Sequence, residues 1–345
     1  MSLSNPENEH RFIAITVGDP SGIGPEVTLR ALDQINQTDF TTVVIGNYEL
    51  LKKLSVSLGI RKLLKTVDHD FFHAPPDSLK YIFIYDIESH LPIPAPGFPS
   101  VETGKESLAY IDKAIELWKK SYISGIVTGP VSKNLIEKTG IKFSGHTEYF
   151  AQMIGEDTPY MIMYSDKYSV ILVTTHLPIK DLASHITKDK IVKTAIEAQR
   201  SMTLIRNKKP RIAICGLDPH CGDNGAIGSF DTSITSPLVQ ELQQNGMDIS
   251  GPFAADTLFL PSEWEKYDIV IAHYHDQGLI PFKMMAFDTG VNVTTGLSLI
   301  RTSVDHGTAF NIAGQGIASF SSMIQAIELC KSLIRNKSRY ISFSS

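Results

Sequence analysis

The sequence predicts an α/β fold of two lobes built on mainly parallel sheets. The chain has 345 residues, which is too long for one small core and short for three full domains. Short apolar runs rich in β-branched residues alternate with amphipathic stretches of helical period. The first run leads through a glycine-rich turn into a helical pattern, and this order is typical of parallel sheets covered by helices.

The opening strand, turn and helix start at Arg11. RFIAITVG predicts a strand, DPSGIGP a turn and EVTLRALDQI a helix. Gly18, Gly22 and Gly24 permit close backbone approach, and the start of the helix offers free N–H groups, so this loop suits an anion. The spacing does not fit GxGxxG, and a glycine-rich turn between strand and helix is often only a turn.

Six further apolar runs predict strands, and two long amphipathic segments predict helices between them. The strands are TTVVIG, YIFIYDI, GIVTG, SVILVTTH, RIAICGLD and YDIVIAHYH. The helices are ESLAYIDKAIELWKKSYI and KDKIVKTAIEAQRSMTLI. The proline-rich residues 91–99 are either a linker or a surface loop of the first lobe.

Composition excludes several classes of protein. Hydrophobic residues make up 42% and charged residues 20%, as in a packed globular enzyme rather than a disordered chain. A net charge of -5 provides no basic field for nucleic acid or an anionic membrane surface. No apolar run reaches the roughly 18 residues of a membrane span, and the polar start lacks the apolar core of a secretory signal. We therefore expect a cytoplasmic protein without nucleic-acid or membrane partners.

The three cysteines, Cys215, Cys221 and Cys330, do not form a CxxC pair. Neither a disulfide framework nor a thiolate zinc site is indicated, so we interpret them as reduced thiols.

Three histidines follow three of the predicted strands. His176 ends SVILVTTH, His220 follows RIAICGLDP, and His275 ends YDIVIAHYH. Ligands of open α/β sheets bind at the carboxyl ends of the strands. Imidazole is a common ligand of zinc and similar ions, and three protein ligands leave a position open for substrate. The sequence therefore predicts a catalytic metal at this edge.

Other interpretations of these residues stay open. Each histidine could instead be a satisfied polar residue of a loop, and Asp218 and Asp276 could orient imidazoles or cap loops and helices. His273 lies two residues from His275 and competes for the role of ligand. His275 is favoured because HDQG opens a loop.

A second group of residues suits a phosphorylated acid and its cofactor. An arginine inside an apolar stretch is costly unless it is paired, so Arg301 predicts a bound anion, with Asp305 as the alternative partner. Lys283 could also bind the anion, or it could simply be exposed to solvent. The segment VDHGTAFNIAGQGIAS contains a loop that either binds a cofactor or forms a tight structural turn. The candidates for substrate are His146, Thr147, Lys283, Asn292 and Arg301, and those in the loop are His306, Gly307, Thr308 and Ala309.

The ordered motifs of the chain resemble the 4-hydroxythreonine-4-phosphate dehydrogenase family over roughly residues 11 to 335. They are GDPSGIGPE, VTGPVSK, FSGHTEYF, TTHLPI, CGLDPHCGDNGAIG, GPFAADTLF, YHDQGLIPFK and GVNVTTGLSLIRTSVDHGTA. More distantly, GDPSGIGPEV and HGTAFNIAGQGIAS resemble segments of isopropylmalate and isocitrate dehydrogenases. The resemblance implies two αβα lobes of the isocitrate/isopropylmalate dehydrogenase-like fold, with a cleft between the lobes.

The resemblance also implies a domain division and an assembly. Residues 1–135 and 300–345 would form a first lobe with the cofactor loops. Residues 136–299 would form a second lobe with the metal ligands and the dimer interface. The chain is expected to form a homodimer whose active site is shared between the subunits.

Carried over by motif, the resemblance assigns roles to individual residues. Metal ligands would be His176, His220 and His275, and Lys283 would act beside His275 in catalysis, as a proton-transfer group or carboxylate clamp. The substrate candidates named above match the family's substrate contacts. Contacts to the cofactor would be Gly18, Gly22, Gly24, His306, Gly307, Thr308 and Ala309. The chain departs from the family pattern at Asp218 and Cys221, where Asn and Ala are usual, and at His273.

The implied activity is NAD-dependent oxidation and decarboxylation of 4-phosphooxy-L-threonine to 3-amino-2-oxopropyl phosphate, in pyridoxal phosphate (pyridoxine) biosynthesis. NADP is the alternative cofactor, and the divalent metal would be zinc, with cobalt or magnesium as alternatives. A sister oxidoreductase acting on D-threonate or D-erythronate 4-phosphate is the nearest alternative. A phosphate acyltransferase, and a metal-binding module without catalysis, are alternatives of other classes.

Overall fold

The computed structural model describes residues 11–36, 39–73, 80–89 and 92–344. The chain divides into two compact units, unit 1 (Met1–Asp157 and Leu297–Ile334) and unit 2 (Thr158–Gly296 and Arg335–Ser345). The polar first ten residues and Leu91 lie outside the described residues. The lobe boundaries at 135/136 and 299/300 stay a prediction.

The described residues form twelve strands. They are β1 (Arg11–Thr16), β2 (Phe40–Gly46), β3 (Leu63–Val67), β4 (Tyr81–Asp86), β5 (Gly125–Thr128), β6 (Tyr160–Tyr164), β7 (Ser169–Leu172), β8 (Ile212–Cys215), β9 (Ile249–Phe253), β10 (Ile269–Ala272), β11 (Val291–Thr295) and β12 (Arg301–Val304).

The α-helices of the described residues are α1 (Gly24–Gln34), α2 (Tyr48–Ser57), α3 (Val101–Lys119), α4 (Lys133–Glu137), α5 (His146–Ile154), α6 (Leu182–His185), α7 (Lys188–Arg206), α8 (Ser236–Gln244), α9 (Ala255–Leu258), α10 (Pro261–Trp264), α11 (His275–Ala286) and α12 (Ser321–Ser344). Within the described ranges, the helices are too short or too polar to cross a membrane.

The sheet of unit 1 is parallel throughout. Its strand order is β3-β4-β2-β1-β5-β12. Every residue of β2, β5 and β12 is buried, which is typical of parallel strands covered on both faces. Because β1, β5 and β12 run parallel, the segments that follow them lie at one edge of the sheet.

The sheet of unit 2 is mixed, with strand order β11-β6-β7-β10-β8-β9. Strand β6 pairs antiparallel with β11 and β7, and the other pairs are parallel. Its core packs Val170, Ala213 and Val270 with the fully buried Trp264 and Phe282. The predicted α/β fold with mainly parallel pairing is confirmed.

The proline-rich segment belongs to unit 1, and its residues 92–99 form neither helix nor strand. Gly97 N–H donates to the Ser21 carbonyl at 2.8 Å, and a β-carbon on Gly314 would lie 2.7 Å from the Pro96 ring. The segment is therefore a loop packed on unit 1, as the second interpretation expected.

Candidate active site

The three candidate ligand histidines follow the carboxyl ends of three neighbouring strands of unit 2. His176 follows β7, His220 follows β8, and His275 follows β10. Strand β10 pairs in parallel with both β7 and β8, so the three strands end at the same edge. The placement of the histidines after strand ends is confirmed.

His176 and His275 face each other at this edge. Their ring centroids lie 5.8 Å apart. His275 Nδ1 lies 2.7 Å from Asp276 Oδ1, and a carboxylate there accepts the Nδ1 proton. This hydrogen bond leaves the Nε2 lone pair of His275 available, which is the arrangement that a metal-ligating imidazole uses.

His220 lies in a left-handed loop, Pro219–Gly225. The φ angles of His220, Cys221, Asp223 and Asn224 lie between 42° and 55°, a region that non-glycine residues rarely adopt. The exposed His220 lines a cavity of about 590 Å³ together with Asp218, Asp256, Tyr274 and Asp276. This volume is in the range of small-molecule sites.

The structure brings His176 and His275 together without His220. Among the described residues, no group of three or more His, Cys, Asp or Glu side chains is arranged to hold a metal ion. The chemistry of the pair still fits a divalent metal, because two imidazoles face each other and a carboxylate orients one of them.

His273 is a buried core residue, and its burial favours a structural role over that of a metal ligand. Its side chain is fully buried, and Nε2 lies 2.8 Å from the Cys215 carbonyl, to which it donates. Burial lowers the pKa of His273, so the ring is neutral. Its ring also packs edge-on against Phe230.

Cys221 lies in the left-handed loop beside His220, and its side chain packs towards β8. Its Sγ would lie 2.7 Å from a β-carbon on Gly216, so the thiol packs against the backbone after β8. Burial, with Asp231 and Asp256 nearby, raises the pKa of the Cys221 thiol. Among the described residues, Cys221 is not part of a group of three side chains that could hold a metal ion.

We expect His273→Ala to destabilise the protein without lowering its metal content. The change removes a buried ring and leaves the Cys215 carbonyl without its donor, which costs about 2 to 4 kcal/mol of unfolding free energy. Urea unfolding measures the loss, and metal analysis of the folded variant tests the assignment. A folded variant depleted of metal would make His273 a ligand after all.

Three of the five substrate candidates lie together in unit 1. Arg301, on β12, is 2% exposed, and its guanidinium donates to Thr128 Oγ1 at 2.7 and 3.2 Å and to Thr147 Oγ1 at 3.4 Å. Thr147 and His146 form the first turn of α5. The guanidinium and the His146 ring both pack on Phe150.

Two cations, Arg301 and Lys133, and one carboxylate, that of Glu148, act on this cluster. Burial lowers the pKa of Arg301 to about 9, so the guanidinium stays charged at neutral pH. Burial, together with the charges of Arg301 and Lys133, lowers the pKa of His146 well below its ordinary value. The neutral His146 has a buried Nε2 with no hydrogen-bond partner within the described part of the chain. A buried nitrogen beside two cations suits an anionic ligand.

The other two substrate candidates lie in unit 2. Lys283 is half-buried on α11, the helix that His275 begins. Asn292 lies on β11 between the buried Val291 and Val293, on the opposite face of the strand. Asn292 Oδ1 is buried and has no hydrogen-bond partner among residues that the structure describes.

The glycine loop after β1 is closely packed against two neighbouring loops of unit 1. A β-carbon on Gly18 would lie 2.2 Å from the Pro130 carbonyl oxygen, and one on Gly22 would lie 2.9 Å from that of Thr308. Ile23 N–H donates to the Thr308 carbonyl at 2.9 Å. Gly24 likewise lies against the Val17 carbonyl. These contacts explain the glycines structurally, and their contact with a cofactor stays a prediction.

The second predicted cofactor loop follows β12. His306 Nδ1 lies 3.1 Å from the Gly307 carbonyl, the space around Gly307 is open, and Ala309 has a left-handed φ of 41°. Buried Glu26 accepts hydrogen bonds from the N–H groups of Gly314 and Ala318, which ties this segment to α1.

The sequence assignment missed two residues beside Arg301. Thr128 ends β5, and its hydroxyl accepts a hydrogen bond from the Arg301 guanidinium. The charge of Lys133 lowers the pKa of His146. Both belong to the motif VTGPVSK. The motif lies at the end of a predicted buried strand, as the histidine motifs do. This position could have indicated that Thr128 and Lys133 are site residues.

Comparison with known proteins identifies the family. A family model described as pyridoxal phosphate biosynthetic protein PdxA matches residues 38–330. A 4-hydroxythreonine-4-phosphate dehydrogenase of a Sulfurihydrogenibium species is 38% identical over 318 residues, which cover 92% of this chain and 96% of that protein. A D-threonate 4-phosphate dehydrogenase of Pectobacterium atrosepticum is 35% identical over 328 residues, covering 94% and 99%.

A solved structure of a protein with the same name as the first relative also matches this chain. The 4-hydroxythreonine-4-phosphate dehydrogenase of Klebsiella pneumoniae matches with a TM-score of 0.81 and 33% identity, over 94% of this chain and 99% of that one. These matches confirm the resemblance seen in the motifs, and the chain belongs to the pyridoxal phosphate biosynthetic protein PdxA family.

Proposed function

We propose that this chain is an NAD-dependent dehydrogenase that oxidises 4-phosphooxy-L-threonine and releases carbon dioxide to give 3-amino-2-oxopropyl phosphate, for pyridoxal phosphate biosynthesis. The family and the names of its relatives support the reaction. The observation that carries it is the buried Arg301 beside His146 and Thr147, because this cluster suits the phosphate that the substrate must carry.

The phosphate would bind at the start of α5. The planar guanidinium of Arg301 offers paired N–H donors that match two phosphate oxygens. The Thr147 hydroxyl and His146 ring lie in the first turn, where N–H groups and the helix dipole favour negative charge. Burial strengthens these interactions because little water competes for the donors.

A divalent metal would be held by His176 and His275, with His220 as the third ligand. We favour zinc, with cobalt or magnesium as alternatives, because neutral imidazole is the common ligand type of such ions. When bound, the ion would act as a Lewis acid that stabilises negative charge on the substrate oxygen. Asp276 would fix the tautomer of His275 through the 2.7 Å hydrogen bond.

Lys283 and Asn292 would contact the rest of the substrate. As a neutral amine, Lys283 would accept the hydroxyl proton at Nζ as hydride leaves for the nicotinamide, and as an ammonium it would instead clamp the carboxylate. The buried Asn292 Oδ1 needs a donor, and a substrate ammonium or hydroxyl would supply one. After oxidation, the C–C bond to the carboxylate of the β-keto acid breaks to release carbon dioxide, and its electron pair passes towards the ketone oxygen. The carbon that lost carbon dioxide then takes up a proton to give the ketone product.

The cofactor would lie along the segment of unit 1 from His306 to Gly316. Gly18, Gly22 and Gly24 would bring the loop after β1 close to this segment, and the open space at Gly307 leaves room for a ligand. NAD is favoured over NADP through the family resemblance alone.

We propose a homodimer whose active site is shared between subunits. Helix α11 exposes Ile280 by 57%, Met284 by 80% and Met285 by 41%, and Phe287, just beyond it, by 59%. A contiguous apolar surface of this kind marks a protein interface more often than a solvent face. The helix also begins with His275, so its partner would lie near the proposed metal.

A sister activity on D-threonate 4-phosphate is the second candidate, because one close relative carries that name. It differs from the first at one position of the substrate, where a hydroxyl replaces the amine. The phosphate cluster would serve both substrates.

An assay of the purified protein with each substrate distinguishes the candidates. We expect 4-phosphooxy-L-threonine to give the highest kcat/KM for NAD reduction at 340 nm, with release of carbon dioxide. Faster turnover of D-threonate or D-erythronate 4-phosphate would select the sister activity. Acyl transfer that needs no nicotinamide and survives chelation would select an acyltransferase, and no turnover of any substrate would leave a non-catalytic metal-binding module.

A further inference from the structure

The segment after β5 brings a second cation to the phosphate cluster of unit 1. Lys133 begins α4, five residues after Thr128 at the end of β5. A β-carbon on Gly145 would lie 3.2 Å from Lys133 Nζ and 2.9 Å from Glu148 Oε2. The ammonium therefore lies over the glycine that precedes His146 and the first turn of α5.

Two cations and one carboxylate meet at this point, and together they leave a net positive charge that favours an anion. Lys133 and Arg301 both act electrostatically on the His146 ring, from α4 and from β12. The hydroxyls of Thr128 and Thr147 are neutral, and Glu148 provides the nearby carboxylate. A phosphate monoester is close to doubly ionised at neutral pH, so one guanidinium balances only part of its charge.

The two cations differ in a way that suits distinct tasks. Arg301 is buried and held by the two threonines, so its guanidinium has a fixed position. Lys133 is exposed, and its flexible stem carries a compact charge. An exposed ammonium at the edge of a buried site can close on a ligand after it enters.

We infer that Lys133 is a phosphate ligand, which binds the substrate phosphate together with Arg301, His146 and Thr147. This role rests on the proposed function for the identity of the substrate, but the binding of phosphate itself does not depend on catalysis. The same residue would serve either phosphorylated hydroxy acid.

The test compares Lys133→Met with Lys138→Met, an exposed lysine five residues further along. We expect Lys133→Met to raise KM and the Kd for inorganic phosphate roughly 10- to 100-fold, the loss of one charged hydrogen bond, with kcat changed far less. Lys133→Arg should restore most of the affinity, and Lys138→Met should behave as the unmodified protein. Calorimetric titration of the full chain with inorganic phosphate gives Kd without turnover.

The outcomes separate this inference from the proposed function. Unchanged phosphate affinity in a folded Lys133→Met protein would overturn the role of Lys133, whatever the substrate assay gives. Failure of the unmodified protein to oxidise any phosphorylated hydroxy acid would overturn the proposed function instead. If Lys133→Met does not fold, Lys133→Gln provides the same comparison. A fall in kcat with no change in phosphate affinity would also count against a phosphate ligand.

Discussion

His275→Ala is expected to lower kcat roughly 10³-fold and to deplete the protein of its divalent metal. The change removes one of the two imidazoles that face each other at 5.8 Å. Loss of the metal would remove several kcal/mol of charge stabilisation from the transition state, and each 1.36 kcal/mol is tenfold in rate. His275 is 40% exposed, so the free energy of unfolding of the metal-free protein should change by about 0.5 kcal/mol or less.

The matched control is His185→Ala, an exposed histidine of the same unit whose ring contacts Ser184 and the Asp181 carbonyl in its own turn. It should retain full turnover and metal content. His176→Ala should reproduce the effect of His275→Ala. Turnover is followed at 340 nm, and bound metal by plasma mass spectrometry of protein purified without added metal salts. Full activity and full metal content in His275→Ala would show that the paired imidazoles do not hold the ion.

Arg301→Met is expected to lower kcat/KM roughly 10²- to 10⁴-fold for phosphorylated substrates. The variant loses the buried guanidinium and with it two or more charge-assisted hydrogen bonds to phosphate, each of about 1.5 to 3 kcal/mol. Arg301→Lys should recover only part of the loss, because an ammonium cannot donate in the same fork to Thr128 and a phosphate.

A substrate analogue without the phosphate makes the Arg301 experiment specific. The unmodified protein should turn it over slowly, and Arg301→Met should be no slower with it. Urea unfolding shows whether the variant is folded, and Arg61→Met, at an exposed ion pair with Asp33, controls for the loss of one positive charge. An equal loss for both substrates would indicate a structural role for Arg301 rather than phosphate binding.

The fold could be predicted because its signals are local and repeated. Buried parallel strands read as short apolar runs, and β2, β5, β8 and β10 match those runs closely. The sequence did not reveal β3, β6, β9, β11 and β12, and the last three of these have weaker signals. β9 contains Gly-Pro, β11 alternates polar with apolar residues, and β12 begins with Arg301.

The sequence could predict which edge of the sheet carries the candidate site, because the ends of the strands determine that edge. It could not predict the paths of the loops beyond the strands. The parallel pairing of β7, β10 and β8 places all three histidines at one edge. The left-handed path that carries His220 depends on several consecutive backbone angles, which no residue in CGDNG specifies alone.

The glycine loop after β1 shows a second feature that could not be predicted from the sequence. Free N–H groups at a helix start indicate an anion, but Ile23 N–H and Asp19 N–H already donate to the carbonyls of Thr308 and Pro130. These acceptors lie more than a hundred residues away in sequence. Long-range backbone partners are therefore what separates an anion site from a packed turn.

The left-handed loop that carries His220 has a consequence for the order in which the protein folds. Each non-glycine residue in that conformation costs about 1 to 2 kcal/mol, although Asp and Asn tolerate it better than His or Cys. Four such residues together approach the net stability of an ordinary domain, about 5 to 15 kcal/mol. An isolated peptide would not hold this shape, so we expect the loop to form only once β8 and β10 have paired. On heating, the left-handed loop should lose its conformation before the sheet of unit 2 unfolds. Activity should therefore be lost at a lower temperature than the secondary structure.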